Sequence, residues 1–313
     1  MVVLSGRPTA GRAFDLAVEL GGLRIENPVM PASGCFGPEL ASLIPIQRLG
    51  AVVTKTVFTH PRSGNPSHRL AETVGGMLNS VGIPSLGVDV FLRDLLPRYA
   101  ELGPPVIVSI GGLSVADYQE IAYQLCDVPL AALEVNVSCP NLEAGGLEIG
   151  AAPLLVESIV QDVARVNPHP IIVKLTPNVT AIADIAKAAE SGGASALTVA
   201  NTFVGVKFDY RTGNTVLGNG VGGLSGPAIK PLTLSKVWTA SQAVSIPIVA
   251  CGGICTAADV LEYVAAGASA VQVGTATFTR PHAMIEILDE LPQLLEETGA
   301  ATLQMYRHMN RTR

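Results

Sequence analysis

Two lysines stand inside short apolar runs, Lys55 in Val52-Val53-Thr54-Lys55-Thr56-Val57 and Lys174 in Ile171-Ile172-Val173-Lys174-Leu175. A lysine in a buried strand needs an anion or acceptors beside it. Three uses fit: charge partner for an anionic cofactor or substrate, Schiff-base nucleophile, or member of a structural ion pair. Asn79, Asn136, Asn141 and Asn201 each offer an acceptor and two donors. Together they suit a flat, amide-rich ring such as a pyrimidine; singly, each suits loop or cap chemistry. Cys139 lies among turn-forming residues in Ser138-Cys139-Pro140-Asn141. A thiol in a polar loop acts as base or nucleophile where its surroundings stabilise the thiolate, and is otherwise inert.

These residues need elements to bring them together. Eight short apolar runs recur: 28–32, 51–56, 106–110, 132–137, 171–175, 196–200, 246–250 and 270–273. Helical patterns lie between them at 115–125, 153–166, 182–191, 229–243, 257–265 and 282–297. Apolar strands alternating with amphipathic helices predict a parallel sheet covered by helices. Eight units predict a closed (β/α)8 TIM barrel in one domain over 1–313, with a doubly wound open sheet as the second choice. Upstream, 16–20 and 23–26 around Gly21-Gly22 read as a β-hairpin that caps the lower mouth. Two long connections, 58–88 and the glycine-rich 202–226, overhang the opposite rim.

In such a barrel the active site lies at the C-terminal ends of the strands. Every run delivers a polar group or glycine there: Ser33-Gly34, Lys55-Thr56, Ser109, Asn136 to Asn141, Lys174, Asn201-Thr202, Gly252-Gly253 and Gly274-Thr275. Backbone N–H groups in the last two loops match a common phosphate site, and glycine lets phosphate oxygens approach.

The chain has 313 residues, 48% hydrophobic and 15% charged, with a net charge of −6. That composition excludes a disordered chain. The acidic balance argues against a nucleic-acid partner. No long apolar stretch predicts a membrane span, and residues 1–14 contain no secretory signal pattern. Five cysteines (Cys35, Cys126, Cys139, Cys251, Cys255) without a CxxC pair imply neither a disulfide framework nor a metal site, and a cytoplasmic setting.

The residues carry a specific resemblance. The stretches 30–37 (MPASGCFG), 54–56 (TKT), 79–82 (NSVG), 134–141 (EVNVSCPN), 173–178 (VKLTPN), Asn201-Thr202 and 222–231 (GGLSGPAIKP) resemble class 1 dihydroorotate dehydrogenases along nearly the whole chain. Segments 143–150 and 170–177 resemble subclass 1B. The residues Ile83-Pro84-Ser85-Leu86-Gly87, and Ser109, instead resemble subclass 1A.

The resemblance implies FMN-dependent oxidation of (S)-dihydroorotate to orotate in pyrimidine biosynthesis, with hydride transfer to the flavin. Cys139 would be the general base, Lys174 would face the flavin N1/C2=O edge, and Lys55 would touch flavin and substrate. Asn79, Val81, Gly82, Ile83, Asn136, Asn141, Asn201 and Thr202 would bind the pyrimidine and its carboxylate. Ser33, Thr56, Ser109, Asn136, Ala200, Gly226, Gly252, Gly253, Gly274 and Thr275 would line the FMN. Subclass 1B also implies a second subunit carrying FAD and a 2Fe–2S cluster, a homodimer core within a heterotetramer, and NAD as acceptor. The loops 138–150 and 202–223 would close over substrate. Alternatives are a dihydropyrimidine dehydrogenase-like flavoenzyme, a fumarate-using subclass 1A enzyme, a Schiff-base aldolase and a non-catalytic barrel scaffold. Asn141 after Cys139-Pro140, where the uracil-type enzymes carry His, favours the dihydroorotate reading.

Overall fold

The structure, a computed structural model, describes residues 14–138 and 149–311. The chain opens with a hairpin of β1 (Val18–Leu20) and β2 (Leu23–Ile25). It continues through β3 (Val29–Pro31) and β4 (Val52–Val53). In the first long connection lie β5 (Leu70–Thr73) and β6 (Gly76–Asn79). Next come β7 (Val106–Ile110), β8 (Ala132–Asn136), β9 (Ile171–Lys174) and β10 (Ala196–Val199). The second long connection contributes β11 (Phe203–Val206) and β12 (Val221–Ser225), before β13 (Ile248–Cys251) and β14 (Ala270–Val273).

Eight parallel strands follow the order β3-β14-β13-β10-β9-β8-β7-β4. At the seam the Gly50 N–H donates to the Val29 carbonyl at 2.9 Å, so the sheet curls into the expected barrel. The strands are buried on both faces, which is why they read as near-continuous apolar runs. Outward residues such as Val135 and Val173 pack against the helices. Inward residues Ala132, Ile172, Ala196, Val249 and Ala270 form a separate inner cluster.

That inner cluster also holds Leu20 and Ile25, so the hairpin does plug the lower mouth. Its turn uses Gly21 and Gly22 at φ +60° and +99°, where the twist of a two-residue hairpin favours glycine. A Cβ on Gly21 would also meet the Ser195 carbonyl oxygen at 2.1 Å. Most predicted helices fall within two residues of their observed bounds; those at 153–166, 182–191 and 257–265 match.

The two long connections are less loop-like than expected. Together they form a four-stranded antiparallel sheet, β11-β12-β6-β5, over the rim. The pairing of Asn79 with Gly223 stitches the two connections together. Glycines recur in it where chains meet closely: a Cβ on Gly76 would meet the Ser225 carbonyl oxygen at 2.0 Å. The two ends of connection 202–226, Phe203–Val206 and Val221–Ser225, are thus built into a sheet. Of the other expected closing segment, 138–150, residues 139–148 lie outside the described residues. Helical residues 88–100 and the helix Leu303–Arg311 were not anticipated. Among the described residues no helix is long and apolar enough to cross a membrane.

Candidate active site

A cavity of about 510 Å³ opens at the C-terminal ends of the barrel strands, under the antiparallel sheet. Strand ends bring Ser33, Lys55, Thr56, Asn136, Lys174, Ala200, Asn201 and Thr202 to its wall. The long connections add Asn79, Val81, Gly82, Ile83 and Gly226, and the last two barrel loops add Gly252, Gly253, Gly274 and Thr275. Ser109 stands one layer back: it is fully buried and bonds Thr56 Oγ1 at 2.9 Å rather than lining the wall. Cys139 and Asn141 lie outside the described residues.

The hydroxyls form a chain. Ser33 Oγ lies 3.2 Å from Thr56 Oγ1, which also accepts from Asn136 Nδ2 at 3.4 Å. Asn136 Oδ1 accepts from Ser138 Oγ, and Asn201 Nδ2 donates to the same Ser138 hydroxyl. Asn79 Nδ2 donates to the Gly223 carbonyl at 3.2 Å. Asn136 and Asn201 are thus held through both amide atoms, Asn201 Oδ1 accepting from the Thr202 N–H at 2.9 Å, and Asn79 through Nδ2 alone; all three border the cavity.

Lys174 is 4% exposed. Its Nζ donates to Gln272 Oε1 at 3.0 Å and lies 3.7 Å from Glu134 Oε1. Burial acts most strongly against the charge, yet Glu134, chief among the opposing groups, holds the ammonium above its usual range. A Schiff-base lysine needs the reverse, a displaced proton, so the aldolase option loses its footing. The ion-pair use does apply, alongside contact with the cavity. Lys55 makes no hydrogen bond or ion pair through Nζ among the described residues. Unlike Lys174 it is exposed rather than buried; partial desolvation, then the neighbouring Arg69, pulls its ammonium below the usual range, with Glu39 acting the other way.

Sequence reasoning assigned no role to Glu134, Thr198, Gln272 or the thiols of Cys35 and Cys251. The usable signal was a carboxylate in an apolar strand, two residues before Asn136 and so on the same inner face. Burial is the main force pushing the Cys35 thiol up to about 12, and Cys251 is also raised, again mainly by burial. Both are held protonated and are poor bases.

The donor set suits a flavin mononucleotide. The backbone N–H groups of Gly252, Gly253, Gly274 and Thr275 donate to no described residue. These four residues line the cavity, where a phosphate would accept from them. A buried cation, Lys174, and the Thr56–Asn136 pair border the same cavity, as a polar ring edge requires. Its volume lies within the usual range for small-molecule sites.

A family model described as dihydroorotate dehydrogenase matches residues 15–295. The chain belongs to the dihydroorotate dehydrogenase family. It is similar to the dihydroorotate dehydrogenase B (NAD(+)) catalytic subunit of Geobacillus kaustophilus (strain HTA426), with 48% identity over 287 residues, 91% of this chain and 92% of the relative. The protein of the same name from Bacillus pumilus (strain SAFR-032) is 46% identical over 292 residues, 92% of this chain and 94% of the relative. That of Geotalea uraniireducens (strain Rf4) is 44% identical over 293 residues, 93% and 96% respectively. The relatives are thus of the B type, which segments 143–150 and 170–177 resembled, despite the A-like residues 83–87. Among the described residues the cavity wall holds every expected position except Ser109, while Cys139 and Asn141 lie outside the described residues.

Proposed function

We propose that this chain oxidises (S)-dihydroorotate to orotate as the catalytic subunit of an NAD-linked dihydroorotate dehydrogenase in pyrimidine biosynthesis. The observation that carries the reading is one cavity bordered by an anion cradle, a buried lysine and three asparagines, in a chain of this family. FMN, when bound, supplies the two-electron acceptor for the hydride that leaves C6.

The chain's own residues do the rest. Cys139, directly after Ser138 at the end of the fourth barrel strand, takes the C5 proton on Sγ. Loss of that proton and of the C6 hydride leaves the C5=C6 double bond of orotate. Lys55, whose ammonium is uncommitted, pairs with the substrate carboxylate. Asn79, Asn136, Asn141 and Asn201 hold the ring amides, with Thr202 and the backbone of residues 81–83. The Gly252, Gly253, Gly274 and Thr275 backbone, with Gly226, holds the phosphate end. Ser33, Thr56 and Ala200 complete the flavin wall, and Ser109 supports Thr56 from behind.

Two electrons must then leave the barrel. With five cysteines and no CxxC pair, this chain does not suit an iron–sulfur cluster. We assign the FAD and the 2Fe–2S cluster to a partner subunit, around a homodimer of this chain, in the cytoplasm. The uracil-type and fumarate-linked alternatives gain no support from the relatives' names. Steady-state assays decide the matter. Dihydroorotate reduces an artificial dye with the chain alone, and NAD only when the partner is present. Equal turnover of dihydrouracil, or NAD reduction by the lone chain, would contradict this assignment.

A further inference from the structure

Directly beneath the cavity lies a polar layer that the reaction does not use. Glu134 from β8, Thr198 from β10 and Gln272 from β14 are each at most 1% exposed. These are alternate strands of the barrel, as expected for one interior layer. Glu134 Oε2 accepts from Thr198 Oγ1 at 3.0 Å and from Gln272 Nε2. Gln272 uses its other amide atom, Oε1, to accept from Lys174 Nζ. Its orientation is therefore fixed from both ends. Glu134 Oε1 has no hydrogen-bond partner, and the nearest cation is Lys174 at 3.7 Å.

A fully buried carboxylate with an unpartnered oxygen is costly, and a buried ion pair is a poor way to gain stability. Apolar residues fill the inner layer below it, so the fold itself had a cheaper solution. What the pair does provide is a lysine held in one place with its charge cancelled. Lys174 is faced by Glu134 from β8, by Gln272 from β14, by the Cys251 thiol from β13 and by the Cys35 thiol from the loop after β3.

We propose that Glu134 is a positioning residue for the flavin: through Gln272 it fixes Lys174 Nζ at the cavity wall, and its carboxylate makes the flavin face a neutral ion pair instead of a free cation. The inference rests on the FMN reading above. Its consequence is electrostatic. Reduction places negative charge on the flavin ring, and a free cation stabilises that charge more than a cancelled one. Glu134 therefore keeps the flavin less oxidising than Lys174 alone would make it, which suits electrons that must travel onward to NAD.

Sulfite is a direct probe, because its lone pair bonds to an oxidised flavin and leaves a full negative charge on the ring. The readout is the sulfite dissociation constant of the FMN-loaded chain from pH 5.5 to 9.5, from flavin absorbance. Glu134→Gln binds sulfite at least tenfold more tightly than wild type at the acid end. The gain fades as pH rises, because the lysine without its counter-ion gives up its proton. Thr198→Val, nearly isosteric, removes one donor to the carboxylate and gives a smaller tightening, at least twofold, and it decides the matter if Glu134→Gln does not fold. Wild-type affinity and pH profile in the folded variants overturn the proposal. A merely structural role for Glu134 would lower the melting temperature without moving the sulfite constant. Wild-type protein that binds no FMN would overturn the flavin reading itself, through flavin content and before any sulfite measurement.

Discussion

Removing one sulfur atom separates binding from chemistry at this site. Cys139→Ala retains FMN at wild-type stoichiometry but reduces it with dihydroorotate at least about 100-fold more slowly in anaerobic stopped flow, the usual scale for a lost general base. Near-normal rates would remove Cys139 from that role. The other thiols do not substitute, because burial holds Cys35 and Cys251 protonated. Lys55 gives a prediction in pH. Its ammonium is held below the ordinary value of 10.5, first by partial desolvation and then by Arg69. The charge is present below that lowered value and lost above it. Orotate binding, read from the flavin spectrum, therefore weakens with rising pH before 10.5, and Lys55→Arg extends tight binding to higher pH. A flat profile in wild type would contradict the carboxylate contact. At this scale much was legible, because polar residues such as Lys174 and Asn136 interrupt apolar strands. The pairing of Glu134 with Gln272 was not, since it spans 138 positions and depends on the barrel's closure.

Among the elements, the loop after β13 is the most exacting. Gly253 has φ +70°, and a Cβ there would stand 2.8 Å from Lys230 Cβ and 3.0 Å from the Gly226 carbonyl oxygen. Gly253→Ala distorts the anion cradle while leaving Lys174 and the asparagines in place. Its FMN content after gel filtration falls at least tenfold, with the helical circular dichroism unchanged; full retention would place the phosphate elsewhere. Glycine also explains where element prediction failed. Barrel strands and helices carry periodic apolar signals, so their bounds could be read closely. β11 and β12 carry Gly205, Gly222 and Gly223 instead. Sequence patterning reads such glycines as loop, whereas here they allow close packing: a Cβ on Gly223 would meet Thr202 Oγ1 at 2.0 Å. Helical residues 88–100 were obscured similarly, by Pro97 and by a wide π-helical turn at Phe91–Leu95.

Across the whole molecule, stability and chemistry sit at opposite ends of one barrel. Leu20 is fully buried in the plug at the lower mouth, with Ile25 and the inward strand residues. Leu20→Ala costs about 2–5 kcal/mol of unfolding free energy, measurable by urea titration, while kcat at a temperature where the variant is folded stays at the wild-type value. A loss of kcat without loss of stability would mean that the two ends are coupled. The upper end carries the central claim, a dihydroorotate site built against a flavin. It is tested most directly by adding dihydroorotate to the purified chain without oxygen and recording flavin absorbance. The flavin's visible band is expected to bleach, with one orotate formed per flavin reduced. A yellow protein whose spectrum and substrate both stay unchanged would contradict it.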